Sequence, residues 1–300
     1  MISVIMSIYR EPENILKIAI ESILNQTFQD FEFLIVADDP ENEELIDCVK
    51  TYANQDERIR FFVNEKNMGL ANSLNRLIRE AKGEYIARMD ADDFSEPTRL
   101  EKQLSFMKEN NLDIISCDVR VIDEQGNTIQ MMKNLPNTDK KIRKKLQYNN
   151  CLPHPGWMVR KEVYISLGGY DNTPYCEDYE FLLKVRGKDY KFGNINEVLL
   201  QYRMTNVSIS RSNLFKQYLA MKYCQERYIK HKEITFSEYQ ESYYDPEEER
   251  KYNECANVFS ESLSNLSAHH FGKAFIGLNK AFWGSRFYRD KMFKYVLQLL

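Results

Sequence analysis

The sequence predicts an α/β protein: a mostly parallel central sheet with helices on both faces, followed by a helical C-terminal region. Three observations carry this. Through residues 1–90, short apolar runs of strand type alternate with amphipathic runs of helical spacing, and strands separated by helices pair in parallel. Ile2 to Ile8 is a β-branched apolar run, as in a strand covered on both faces. Beyond about Ser208, glycine and proline become sparse and helical patterns run to the end. The expected division is an α/β unit over 1–207 and a helical region over 208–300.

Ile2 to Ile8 is the first strand. Pro12 suits a first helical position, with Ile15, Ile18, Ala19 and Ile23 at helical spacing behind it. Phe31 to Ala37 is the second strand, ending at Asp38-Asp39-Pro40; a helix over 41–54 and a strand over 59–63 follow. Leu70, Leu74, Leu77, Ile78 and Ala81 mark another helix, stopped by Gly83, and a strand then leads into Asp90. Asp93 or Ser95 suits the cap of a helix starting near Pro97. Asp113–Cys117 is a further strand. Val119–Ile122 and Thr128–Met131 flank Asp123-Glu124-Gln125-Gly126-Asn127 as a hairpin, and Cys176-Glu177-Asp178 opens a helix.

At 300 residues the chain can bury one full core and a smaller second one. A hydrophobic fraction of 43% and a charged fraction of 29% are those of an ordinary globular protein. The net charge of −4 argues against a dedicated nucleic-acid binder. Six scattered cysteines show no metal-ligand or redox spacing, which favours reduced thiols. No secretory signal or membrane-spanning run is visible, so the expectation is a cytoplasmic protein with access to the inner face of the cell membrane.

The most informative stretch is Glu84 to Asp93, an apolar strand that runs into Asp90, Asp92 and Asp93. Three carboxylates there repel one another and resist desolvation unless a cation holds them. Oxygen ligands on a loop suit Mg²⁺ or Mn²⁺, which bind through one or two carboxylates plus substrate phosphates. The carboxyl end of a strand is also where open α/β sheets place ligands. Helix capping is the alternative. Ser7-Ile8-Tyr9-Arg10-Glu11 follows the first strand, where Tyr9 either stacks a nucleobase or packs half-buried. Asp38 either accepts from a base or ribose, or serves the turn before Pro40. Asp178 and Glu177 either cap their helix or reach the sheet edge through Gly168-Gly169-Tyr170-Asp171, a flexible connection.

Ser3 to Glu11, Asn25-Gln26-Thr27-Phe28, Asn67-Met68-Gly69-Leu70, Glu84 to Asp93, His154-Pro155, Gly168-Gly169-Tyr170-Asp171 and Glu177-Asp178 occur in fixed order. In this the chain resembles family 2 glycosyltransferases of the GT-A fold over roughly residues 1–205, and most of all the bacterial branch that builds capsule, exopolysaccharide and O-antigen chains. The resemblance implies a UDP-sugar donor and a glycan or polyprenyl-diphosphate-linked acceptor. It implies that Ser7, Tyr9 and Asp38 hold uracil and ribose, with Glu11, Gly69 and Arg88 in the same nucleotide-sugar-binding set. Asp90 then lies near ribose and donor sugar, Asp92 is the metal ligand, and Asp178 is the catalytic base. Glu177, His154 and Trp157 fall on the acceptor side. Where the branch often has Tyr-Arg-x-His, this chain has Tyr202-Arg203-Met204-Thr205, so Arg203 is expected to hold phosphate in place of the histidine.

These roles imply one displacement that inverts the anomeric carbon. A nucleotidyltransferase is the nearest rival, but the chain lacks its glycine-rich basic loop near the start; a non-catalytic scaffold would leave the carboxylates free to drift. The tail is a candidate for acceptor, membrane or homo-oligomer contacts. Phe271, Phe275, Ile276, Phe282, Trp283, Phe287, Tyr288, Phe293, Tyr295 and Val296 alternate there with a local excess of five positive charges over Lys273–Lys294. Aromatics at this spacing either pack in their own core or meet a membrane interface.

Overall fold

The computed structural model describes residues 1–204, 213–267 and 269–299, with Ser267 and 295–299 by backbone alone. Thr205 lies outside the described residues. β1 (Ile2–Ile8), α1 (Glu13–Leu24), β2 (Phe31–Ala37), α2 (Glu43–Gln55), β3 (Ile59–Val63), α3 (Leu70–Glu80) and β4 (Tyr85–Arg88) alternate as the apolar runs predict. There follow β5 (Phe94–Ser95), α4 (Arg99–Asn110), β6 (Ile114–Ile122), β7 (Thr128–Met132), α5 (Asp139–Lys145), β8 (Met158–Arg160), α6 (Lys161–Leu167), α7 (Glu177–Arg186) and β9 (Phe192–Arg203). Beyond them come α8 (Leu214–Tyr228), α9 (Phe236–Tyr243), α10 (Pro246–Ser267), α11 (Phe271–Gly284) and α12 (Arg286–Leu299).

The strands form one sheet in the order β3-β2-β1-β4-β8-β6-β9-β5, with β7 beside β6. β1 pairs in parallel with β2 and β4, β2 with β3, and β6 with β9. β8 is antiparallel to β4 and to β6, so β6 and β9 point the same way as β4. The loops after β1, β2, β4 and β6, and the end of β9 at Arg203, therefore emerge along one edge of the sheet.

Strand alternation sorts the core into two layers. Val4, Met6, Phe33, Ile35 and Ala87 pack with Leu16, Ile20, Leu45, Val49, Leu100 and Met107 of α1, α2 and α4. The opposite positions, Ile5, Leu34, Val36 and Ile86, are also fully buried and face α3, which supplies Leu74, Leu77 and Ile78.

One sequence expectation fails here. α4 starts at Arg99 after Thr98, and neither Asp93 nor Ser95 caps it. Ser95 lies in β5, and Asp93 accepts the Arg203 N–H at 2.8 Å.

By contacts the chain divides into two units. One holds Met1–Leu146, Asn150–Asn172 and Glu180–Thr205; the other holds Gln147–Asn149, Thr173–Tyr179 and Asn206–Leu300. In the second unit, Phe215 and Tyr218 of α8 pack their rings on Tyr252 of α10 and Phe287 of α12 at centroid distances of 5.2–5.9 Å. No disulfide joins any of the six cysteines. Among the described residues no helix is long and apolar enough to cross a membrane.

Candidate active site

β1 leads to β2 on one side, while the chain returns through α3 to β4 on the other. This reversal opens a crevice between the carboxyl ends of β1 and β4, the position where α/β sheets bind ligands. The loops Tyr9–Pro12 and Met89–Asp93 meet there. Ser7 is half-buried near the end of β1. The Tyr9 ring is 38% exposed, with the Arg10 guanidinium 4.8 Å from its centroid. Arg10 Nε donates to Asp39 at 3.0 Å, and the Glu11 carboxylate accepts the Tyr9 N–H at 2.8 Å.

The acidic loop is built around buried Arg88. Its guanidinium grips both oxygens of Asp90, one at 2.6 Å. Arg88 therefore positions Asp90 and does not itself reach out from the site. Asp90, Asp92 and Asp93 bring ligand oxygens within 4.8 Å of one another. Burial, then Asp90 and Glu11, push the Asp92 carboxyl up to about 7. Burial, then Asp90 and Asp92, hold Asp93 well above its ordinary value. Glu11 is likewise raised, first by burial and then, against its backbone hydrogen bonds, by Asp90. One oxygen of Asp93 is buried without a partner among the described residues. Three converging carboxylates, with Asp92 and Asp93 raised and an oxygen of Asp93 orphaned, fit a hard divalent cation.

Arg203 departs from its expected role. Nε donates to the Asp92 carbonyl at 2.9 Å, and Nη1 donates to the carbonyls of Asp123 and Glu124 at 2.9 and 3.0 Å. Buried as it is, the side chain ties the acidic loop to the β6–β7 turn instead of presenting a fork to phosphate.

Asp38 is also spent within the protein. It accepts from Asn64 Nδ2 at 2.7 Å and from the N–H groups of Met68 and Gly69 at 2.8 and 2.9 Å. The pair of N–H bonds holds the turn at the start of α3, where Gly69 sits at φ +79°, a conformation that favours glycine. The neighbouring Asp39, which the sequence did not single out from Asp38, is the carboxylate that pairs with Arg10, whose guanidinium lies over Tyr9. Its signal was the paired Asp38-Asp39 at a strand end.

His154 opens a short 3₁₀ turn and is buried, with Nε2 2.8 Å from the Tyr170 hydroxyl, which lies 2.9 Å from that of Tyr164. Burial, then Arg88, hold its pKa well below the usual histidine value, so the ring is neutral. Trp157 is fully buried, donates Nε1–H to the Leu152 carbonyl at 3.1 Å and packs on His154 at 4.4 Å. It supports the His154 turn from below and offers no surface to an acceptor.

The Gly168-Gly169 connection is fixed, not flexible. Both glycines lie in the left-handed region, and a Cβ on Gly169 would come within 2.3 Å of Asn75. Asn75 on α3 bonds the Tyr170 N–H and carbonyl, both at 2.8 Å. Beyond it, Asp178 and Glu177 are half-buried in the first turn of α7, and Asp178 accepts the Tyr179 N–H at 2.6 Å.

Residues 3–168 match the profile of glycosyl transferase family 2. An uncharacterized glycosyltransferase of Methanocaldococcus jannaschii is 39% identical over 77% of this chain and 80% of its own. The O-antigen biosynthesis glycosyltransferase WbnJ of Escherichia coli is 37% identical over 78% of this chain and 91% of its own. The crystal structure of S. aureus TarS 1–349 in complex with UDP-GlcNAc superposes with a TM-score of 0.62, at 15% identity, over 99% of this chain and 88% of that one, a likeness of GT-A fold. Together with the profile that spans the crevice and its acidic loop, relatives at this identity over most of both chains establish that the chain belongs to glycosyl transferase family 2.

Proposed function

We propose that this glycosyltransferase moves a sugar from a UDP-sugar to a hydroxyl of a glycan or polyprenyl-diphosphate-linked acceptor, inverting the anomeric carbon, in surface-polysaccharide synthesis. The observation that supports it most is the convergence of Asp90, Asp92 and Asp93 on the same sheet edge as the exposed Tyr9. Asp92, with Asp90 and Asp93 beside it, would hold Mg²⁺ or Mn²⁺, which neutralises a diphosphate leaving group. Tyr9 offers a face for a nucleobase, and Asp39 is a carboxylate at that edge not committed to the Gly69 turn. The O-antigen relative and the UDP-GlcNAc complex of the TarS neighbour support the donor and product class.

Asp178 is assigned as general base. It removes the acceptor hydroxyl proton as the oxygen bonds the anomeric carbon and the bond to the diphosphate breaks, releasing UDP. Glu177 and His154 belong to the acceptor side in this reading, His154 as a neutral group behind the surface. The enzyme works in the cytoplasm, at the inner face of the cell membrane.

A panel of UDP-sugars, with UDP release as the readout, tests the donor class; no release from any of them would end the proposal. Asp178→Asn should lower kcat by about a hundredfold or more while calorimetry shows unchanged donor affinity. Loss of donor binding in that variant would move Asp178 to the donor site.

A further inference from the structure

α11 is packed the wrong way round for a core helix. Ala274, Gly277, Ala281 and Gly284 recur at helical spacing on one side; Ala274 and Ala281 are buried. A Cβ on Gly277 would meet Ser262 Oγ at 2.0 Å, and one on Gly284 would meet Cys255 Sγ at 2.6 Å, so α10 lies against this small-residue side. The large side chains are on the other. Phe271, Phe275, Ile276 and Trp283 are 62–70% exposed. At 100° per residue they fall within an arc of about 140°, opposite the small residues. Ala274 and Ala281 are thus buried against α10, while Phe271, Phe275, Ile276 and Trp283 are displayed on the far side with Gly272 and Asn279 between them.

The structure also sorts the tail residues that the sequence left open. Tyr288 is buried and Phe287 packs on Phe215 and Tyr218, so these belong to the core. Lys291 lies over the Tyr252 and Tyr288 rings, and Lys294 pairs with Asp290 at 3.4 Å, so neither contributes to the outer charge. The cations left outside are those around the displayed face. Lys273, Lys280 and Arg286 are exposed, and Arg289 Cζ sits 5.4 Å from the Trp283 ring. α11 itself carries no acidic residue.

We infer that the Phe271–Phe275–Ile276–Trp283 face of α11 docks into the interface of an anionic bilayer. Two features favour a bilayer over a second copy of the chain. The cationic rim complements anionic headgroups, whereas two such faces would bring like charges together. One 14-residue helix also presents a strip of only about 200 Å², against about 800 Å² per partner in a stable protein interface. Phenylalanine, isoleucine and tryptophan on one side with lysine and arginine at the borders is the pattern of a helix that lies in the headgroup layer.

The chain carries its own reporter. Of its two tryptophans, Trp157 is fully buried and Trp283 is 69% exposed, so a change in indole emission on adding lipid reports Trp283. Vesicles of phosphatidylglycerol mixed with phosphatidylcholine should sediment the intact protein, shift its emission to the blue, and release it in high salt. Vesicles of phosphatidylcholine alone should bind it far more weakly. Phe275→Ser with Ile276→Ser alters only exposed side chains, so the circular dichroism should be unchanged while vesicle affinity falls by about tenfold or more. Equal sedimentation of the variant, equal binding to neutral vesicles, or no blue shift overturns the inference. So does a dimer, seen by light scattering and abolished by the same substitutions, that ignores vesicles: the face would then belong to a second copy.

Discussion

The carboxyl edge of the sheet and the outer face of α11 are both energetically unfinished, in opposite ways. At the sheet edge, polar groups are buried without partners among the described residues: one oxygen of Asp93, Nε of Arg88, and Nε and Nη2 of Arg99. Each such group costs about 1–3 kcal/mol until something satisfies it. On α11 the defect is apolar. Four large side chains stand in water, each worth about 1.5–3 kcal/mol if fully buried. The difference teaches what each region lacks. A buried carboxylate cluster calls for a cation and a polar ligand, and an uncovered apolar strip calls for a nonpolar medium. Local rules of good folding fail at functional sites, and the kind of failure identifies the kind of partner.

The largest effect should come from removing the centre of the charge cluster. Asp92→Ala takes away the proposed metal ligand, and transfer should fall by about a thousandfold or more, with calorimetric Mn²⁺ binding lost. If repulsion is the defect, the same substitution should leave the metal-free fold intact and raise its Tm by a few degrees, a trade of function for stability. Wild-type rates in excess chelator would break this side of the comparison.

What could be read from the sequence differs between the regions for physical reasons. β1, β2 and β3 match their expected spans because their sequences are dominated by β-branched and aromatic residues, with only Glu32 and Arg60 charged, and those two pair with each other across β2 and β3. The sequence assigns Asp113–Cys117 and Val119–Ile122 to separate strands, whereas β6 runs through from Ile114 to Ile122. The buried Asp118 carboxylate is satisfied by the N–H groups of Asn134 and Leu135 and by Asn194. A carboxylate in a strand is legible only once its distant partners are known. The same applies to Asp93, whose bond to the Arg203 N–H spans 110 residues, and which therefore reads locally as a helix cap. Arg99 gave no signal at all: it is fully buried and donates to the carbonyls of Arg88 and Pro155 beneath the site. In α11 the helix was plain from its spacing, but which side faced out depended on Gly277 meeting Ser262.

A moderate effect should sharpen the sheet-edge side. Arg203 holds three carbonyls with one planar fork, which a lysine ammonium cannot reproduce. Arg203→Lys should weaken Mn²⁺ binding about tenfold, or about 1.4 kcal/mol, by loosening the Asp92 backbone. Tm should fall by a few degrees at most. An unchanged metal affinity beside a lowered Tm would show that Arg203 only fastens the β6–β7 turn and plays no part in shaping the site.

The smallest effect is a slope. Burial, then Asp90 and Glu11, raise the Asp92 carboxyl to about 7 in the metal-free fold, far above an ordinary aspartate. Between about pH 4 and 7 the folded chain therefore binds a proton that the unfolded chain has lost, so this group's contribution to stability falls as pH rises through the window. Metal binding has the opposite sign. It needs the carboxylate, so affinity should drop about tenfold for each pH unit below 7 if one proton is displaced. Other groups also titrate in this range, so the informative quantity is the difference between wild type and Asp92→Asn. The metal-free wild type should lose stability relative to that variant as pH rises from about 5 to 7.5. Over the same range, the Tm increase produced by Mn²⁺ should grow in the wild type alone. Parallel Tm curves for the two proteins, with a Mn²⁺ increment independent of pH, would mean that the carboxylates are already relaxed by water and that the sheet edge is not held under electrostatic strain.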